Sequence, residues 1–165
     1  MSIKNDINRL ALEVGNSLFK LNMKLVTAES CTGGKIAAIA TMVAGSSAWF
    51  ERGYVTYSIE SKQELLSVNP ETIKTYGVVS EETVLEMAQG ALKNSHADIA
   101  LATTGYAGPG GGESENPVGT IYFAWLSPYF PIKTIKHYFK GDRESITDQA
   151  ILFSLENLKF LVRNL

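Results

Sequence analysis

Apolar residues recur at helical spacing over residues 3–22, with Ile7, Leu10, Ala11, Val14, Leu18 and Leu21 sharing one stripe, so an amphipathic helix is expected there. The pattern then changes period. Lys24-Leu25-Val26 opens a strand over about 24–28, and Ile36-Ala37-Ala38-Ile39-Ala40 marks a helix over about 33–44. Gly53-Tyr54-Val55-Thr56-Tyr57 reads as the next strand, followed by a short helix over 61–67 and another from Asn69-Pro70 to Gly77. Ser80 with Glu81 and Glu82 behind it is a helix start, and that helix runs to about Ser95. Ile99-Ala100-Leu101-Ala102-Thr103 is an unbroken run of small apolar residues, as expected of a strand covered on both faces. Val118–Leu126 and Ile132–Phe139 form a strand pair about Ser127-Pro128, and Asp142 opens the final helix.

Helices and strands alternate early and a strand pair comes late. The order predicts an α/β fold, a three-layer α/β/α sandwich on a mixed, mostly parallel sheet. No linker or repeat divides residues 1–165, and that length suits a single domain with a proper core. Residues 108–117 are too rich in Gly, Pro, Asn and Ser for a regular element. They form a loop after the central strand, where open α/β sheets bind ligands.

Composition narrows the function. A formal charge of −2 provides no general attraction to nucleic acid or to an anionic membrane. One cysteine, Cys31, allows neither an internal disulfide nor a cysteine-rich zinc site. With no membrane-length apolar run and no apolar signal core at the N-terminus, the expected location is the cytoplasm. Trp49, Phe50, Trp125 and Phe130 would favour a homodimer if exposed and an ordinary core if buried.

The candidate chemistry centres on Thr27-Ala28-Glu29-Ser30-Cys31-Thr32-Gly33-Gly34. A strand, a hydroxyl- and glycine-rich turn and a helix follow one another here. Such a turn aims amides and hydroxyls at one point above a helix N-terminus, where the helix dipole favours an anion. Arg143, at the start of the last helix, puts a cation at the positive end of a dipole. It either pairs with Asp142 or Glu144, or grips a phosphate or carboxylate with its planar fork. The glycine loop 105–112 matches neither G-x-G-x-x-G nor a P-loop. Ser30, Ser46 and Ser47 are candidate nucleophiles, and Cys31 a weaker one. His96 and His137 are poorly situated to serve as bases, which leaves a lysine, tyrosine or carboxylate. Lys62, just beyond the strand that ends near Tyr57, is the base of choice if burial lowers its pKa. No metal-ligand cluster is visible.

These segments together resemble the CinA C-terminal domain family over about residues 7 to 160. The resemblance also rests on Gly45–Gly53, Val55-Thr56-Tyr57-Ser58 with Lys62, Gly77–Glu81, Thr104-Gly105 with Ala107-Gly108-Pro109, Pro117–Thr120 and Gly141-Asp142-Arg143. Tyr106 stands where the family loop usually carries an aliphatic residue. The resemblance implies metal- and cofactor-independent hydrolysis of the carboxamide of nicotinamide mononucleotide (NMN) to nicotinate mononucleotide and ammonia, by a serine–lysine mechanism. It implies Ser47 or Ser30 as nucleophile, with Ser47 preferred because the turn at Ser30 is also the natural phosphate cradle. Lys62 is then the base, aided by Tyr57. Glu29, Thr32, Gly33, Gly34, Thr104, Gly105, Gly108 and Arg143 bind the substrate. Two alternatives use the same pocket: a catalytically inactive nucleotide- or partner-binding paralogue, and a hydrolase of a different nucleotide.

Overall fold

The computed structural model describes residues 2–165. Its elements follow the predicted order. They are α1 (Ile3–Lys20), β1 (Leu25–Glu29), α2 (Lys35–Met42), β2 (Phe50–Val55), α3 (Ile59–Leu66), α4 (Pro70–Tyr76), α5 (Glu81–Lys93), β3 (Ile99–Gly105), β4 (Thr120–Ser127), β5 (Phe130–Tyr138) and α6 (Arg143–Arg163). A short 3-10 helix, Ser46–Ala48, precedes β2. Ser2, Ser58, Ser80 and Asp142 each accept a hydrogen bond from the first turn of the helix they open.

The sheet order is β2-β1-β3-β4-β5. β1 is parallel to both β2 and β3, whereas β3 with β4 and β4 with β5 are antiparallel. Four strands therefore run one way and only β4 opposes them, which is the mixed, mostly parallel sheet expected of this α/β sandwich.

Alternation along the strands divides the core in two. Leu25, Ile99, Leu101, Ile121, Phe123 and Trp125 pack with α1, α2 and α6. Val26, Ala28, Ala100, Ala102 and Ala124 pack with residues of α3 and α5. Small residues on the second face let helices lie close to the sheet. At Gly90 of α5 an added Cβ would stand 1.9 Å from the carbonyl oxygen of Leu66, the last residue of α3. That contact fixes α3, the helix that carries Lys62.

The second strand is Phe50–Val55 rather than 53–57, because the amide of Leu25 pairs with the carbonyl of Trp49 and draws the strand's start back. Thr56 and Tyr57 consequently lie just past the strand end. Of the two readings of the aromatic residues, the structure shows the core one. Trp49 and Trp125 are buried, and Phe50 and Phe130 pack half-buried against the same cluster. Among the described residues no helix is long and apolar enough to cross a membrane.

Candidate active site

β1, β2 and β3 run in one direction, so their C-terminal ends form one edge of the sheet. Ser30 follows β1, Thr56 and Tyr57 follow β2, and Thr104-Gly105 ends β3. A cavity of about 320 Å³ opens at this edge. Ser30, Cys31, Tyr57, Thr104, Tyr106 and Arg143 line it together with Val78, Val79 and the loop through Gly105 and Gly108.

At one wall Ser30 and Lys62 form a buried hydrogen-bonded pair, with Lys62 Nζ 3.0 Å from Ser30 Oγ. Alternation along β1 turns Ser30 towards the α3 side, and Lys62, in the first turn of α3, is fully buried there. Two backbone carbonyls orient the amine: Thr56 O at 2.6 Å and Tyr57 O at 3.3 Å. Carbonyl oxygens only accept. A neutral amine therefore gives its two N–H groups to them and keeps its lone pair for the Ser30 hydroxyl proton. Burial pushes the pKa of Lys62 down from 10.5 to about 8, because the charged form loses its hydration. A hydroxyl on a partly neutral buried amine has the makings of an activated nucleophile.

Across the mouth, Arg143 is held by two acceptors. Nη1 donates to the carbonyl of Gly108, and Nη2 lies 2.9 Å from the hydroxyl of Tyr57. Its acidic neighbours are engaged elsewhere, Asp142 capping Ser145 and Glu144 pairing with Lys4 at 3.0 Å. The guanidinium is thus directed to the cavity rather than to a surface ion pair. The phenol of Tyr57 contacts Arg143, and only its backbone carbonyl meets Lys62, so the geometry offers no relay from serine through the phenol to the lysine.

Ser47, the preferred nucleophile in sequence, requires correction. It is exposed in the 3-10 helix before β2. The parallel register pairs Leu25 with Phe50 and Glu29 with Val55. Residues preceding β2 therefore stand at the opposite sheet edge, roughly 17 Å from Ser30 at about 3.3 Å per strand residue.

The phosphate cradle at the β1–α2 turn is also corrected, because that anion seat is filled from within. The fully buried carboxylate of Glu29 accepts from the amides of Ile36 at 2.9 Å and Ala37 at 3.0 Å, and from the hydroxyl of Thr32 at 2.8 Å. Burial raises its pKa, and the amide and hydroxyl donors oppose that rise. Glu29, Thr32, Gly33 and Gly34 shape the turn and lie outside the cavity wall. The φ angles of +60° at Gly33 and +85° at Gly34 explain the glycine pair.

Thr104, Gly105 and Gly108 do line the cavity. The hydroxyl of Thr104 donates to Val78 O at 3.0 Å and ties the strand end to the segment before α5. Burial pushes the Cys31 thiol up to about 12, which leaves it neutral beside Ser30. Tyr106 seals one end of the loop, with its hydroxyl 3.1 Å from Glu113. His137 packs between Phe139 and Phe153, away from the cavity. Three contributors have no role assigned from sequence. Val78 and Val79 form a wall, and Thr56 orients the lysine through its carbonyl, a role that no side-chain pattern reports. Among the described residues no group of three His, Cys, Asp or Glu side chains is placed to hold a metal.

The sequence profile described as the CinA C-terminal domain matches residues 7–162, nearly the whole chain. The chain belongs to the CinA C-terminal domain family. A relative from Enterobacter agglomerans named nicotinamide-nucleotide amidohydrolase PncC is 46% identical over 96% of this chain and 97% of its own length. The protein of the same name from Escherichia coli K12 is 46% identical over 93% of each chain. A CinA-like protein from Colwellia psychrerythraea is 40% identical over 96% of this chain, which spans 33% of that longer protein. Among solved structures, the competence/damage inducible protein CihA from Agrobacterium tumefaciens superposes with a TM-score of 0.91 at 41% identity, covering 96% of both chains. A CinA superfamily protein from Klebsiella pneumoniae gives 0.92 at 40% identity, covering 96% of this chain and 99% of the other.

Proposed function

We propose that this CinA-family protein is an amidohydrolase that converts NMN to nicotinate mononucleotide and ammonia, with Ser30 as nucleophile and Lys62 as base. The observation that carries the reading is the buried Ser30–Lys62 hydrogen bond at the cavity wall. Relatives named nicotinamide-nucleotide amidohydrolase support the substrate.

Neutral Lys62 takes the hydroxyl proton as Ser30 Oγ bonds to the carboxamide carbon. The oxyanion that forms is held by backbone amides beside the nucleophile and in the Gly105–Gly108 loop; one such donor is typically worth about 10²–10³ in rate. The carbon–nitrogen bond then breaks, and the Lys62 ammonium gives its proton to the departing ammonia. Water attacks the resulting ester, Lys62 accepts the water's proton, and the ester carbon–oxygen bond breaks as that proton returns to Ser30. Arg143, steadied by Gly108 and Tyr57, meets the phosphate. The product is a pyridine mononucleotide acid, which suits a role in pyridine nucleotide salvage.

Ammonia release from NMN by the purified protein tests this reading. Turnover is expected to persist in the presence of a chelator and to disappear in Ser30→Ala and Lys62→Ala. No ammonia from the unmodified protein would overturn it.

A further inference from the structure

We infer that Glu29 is a positioning residue, whose buried carboxylate acts as a built-in anion that locks the β1–α2 turn and so holds Ser30 Oγ against Lys62. The inference rests on the Ser30–Lys62 reading and adds a residue that touches neither substrate nor base.

A carboxylate carried into a protein interior is costly unless its oxygens are hydrogen-bonded. Glu29 meets that demand with four donors: the amides of Ile36 and Ala37, the hydroxyl of Thr32, and the hydroxyl of Thr27 at 3.4 Å. Two of these are first-turn amides of α2, which have no partner within the helix. The negative charge also complements the positive end of its dipole.

The network then returns to the nucleophile. Thr32 Oγ1 lies 2.9 Å from Thr103 Oγ1. With the Thr32 hydrogen committed to Glu29, Thr103 is the donor in that pair. The carbonyl of Thr103 accepts the amide of Ser30 at 3.0 Å, and the carbonyl of Ser30 accepts the amide of Gly33 at 3.0 Å. Glu29, Thr32, Thr103 and Ser30 thus form a closed ring of covalent and hydrogen bonds with the nucleophile on its cavity side. An aliphatic residue at 29 would suit the strand equally well but would take the acceptor from two amides and two hydroxyls, and the Ile36 amide would be left unsatisfied in the interior. A displacement of about 1 Å at a reacting atom can cost 10²-fold in rate, which is the scale on which such a lock acts.

The test uses Glu29→Gln and Thr32→Val in the full-length protein, with two readouts. One is kcat and KM for ammonia release from NMN. The other is the rate at which a fluorophosphonate probe labels Ser30, which requires the activated serine but not NMN. Glu29→Gln is expected to lower kcat and labelling together by about 10²-fold. KM should stay within about twofold and the midpoint of the pH profile should not move, and labelling should go slowly to the full amplitude, whereas partial unfolding would lower that amplitude. Thr32→Val, which keeps the carboxylate but removes the link to Thr103, is expected to lower both by about tenfold, the worth of one hydrogen bond. Should Glu29→Gln fail to fold, Thr32→Val decides.

Folded variants that label Ser30 at the unmodified rate would overturn the inference, as would a Glu29→Gln effect confined to KM. If the unmodified protein labels but does not act on NMN, slower labelling in the variants still supports the role of Glu29 while the substrate assignment falls. A protein that neither labels nor turns over removes both.

Discussion

In the proposed mechanism, Lys62 becomes a base through where it is buried rather than through a neighbouring charge. Lost hydration brings its pKa down to about 8, and the carbonyls of Thr56 and Tyr57 decide where the lone pair points. The ammonium form is inactive as a base, so activity should rise as pH increases through the lysine pKa. We expect kcat/KM for NMN to climb along an acid limb with a midpoint near 8. Bound NMN adds a positive pyridinium, and a like charge disfavours the ammonium further. The corresponding limb in kcat is therefore expected at lower pH than that in kcat/KM. Steady-state profiles between pH 6 and 10 would check both positions (roughly two pH units on either side of the midpoint). Cys31 adds little to either limb, since burial keeps its thiol neutral over that range.

Among the elements, α3 matters most because it delivers the lysine. Ser58 caps it at one end, its side chain accepting from the amide of Ser61, and at the other end Leu66 abuts Gly90 of α5. Alanine at 90 would favour helix formation by up to about 1 kcal/mol, but its methyl would collide with the Leu66 carbonyl, and overpacking of this kind costs about 1–3 kcal/mol. Gly90→Ala is therefore expected to lower Tm and, by shifting α3, to reduce kcat. A thermal melt and a single kinetic comparison would check this. Ser80 and Asp142 open helices as their chemistry in the sequence suggests, whereas α3 begins at Ile59, two residues before the expected start, with Ser58 as its cap. The second strand was misread by three residues at its start, because its first pairing depends on a neighbouring strand, through Trp49 and Leu25.

The whole molecule gathers its chemistry at one edge of the sheet, and direction of travel decides which side chains share that edge. β1, β2 and β3 run together, so residues after each strand converge and residues before each are carried to the far edge. Ser47→Ala is accordingly expected to leave ammonia release within about twofold of the unmodified protein, as for other surface changes remote from a site, and Ser30→Ala is expected to abolish it. Parallel assays of the two variants would distinguish the nucleophiles. The strand pair β4–β5 completes the sheet on the other side. The loop between β3 and β4 is secured at its back by Asn116, which donates to Val79 O at 3.3 Å and accepts from Tyr122 at 3.0 Å. That anchorage leaves Gly105, Tyr106 and Gly108 to form the cavity rim.

Local order along the chain was enough to determine the alternation of helices and strands, the covered character of Ile99–Thr103, and the set of hydroxyl, amine and guanidinium groups available for chemistry. Those properties depend on periodicity and residue type, which neighbours in sequence express directly. Only the folded arrangement decided that Ser30 rather than Ser47 faces Lys62, that Glu29 already occupies the seat a phosphate would take, and that Trp49 and Trp125 lie inside. Each of these depends on which strands pair and in which direction, and on side chains far apart in the chain meeting across a sheet. No local spacing carries that information.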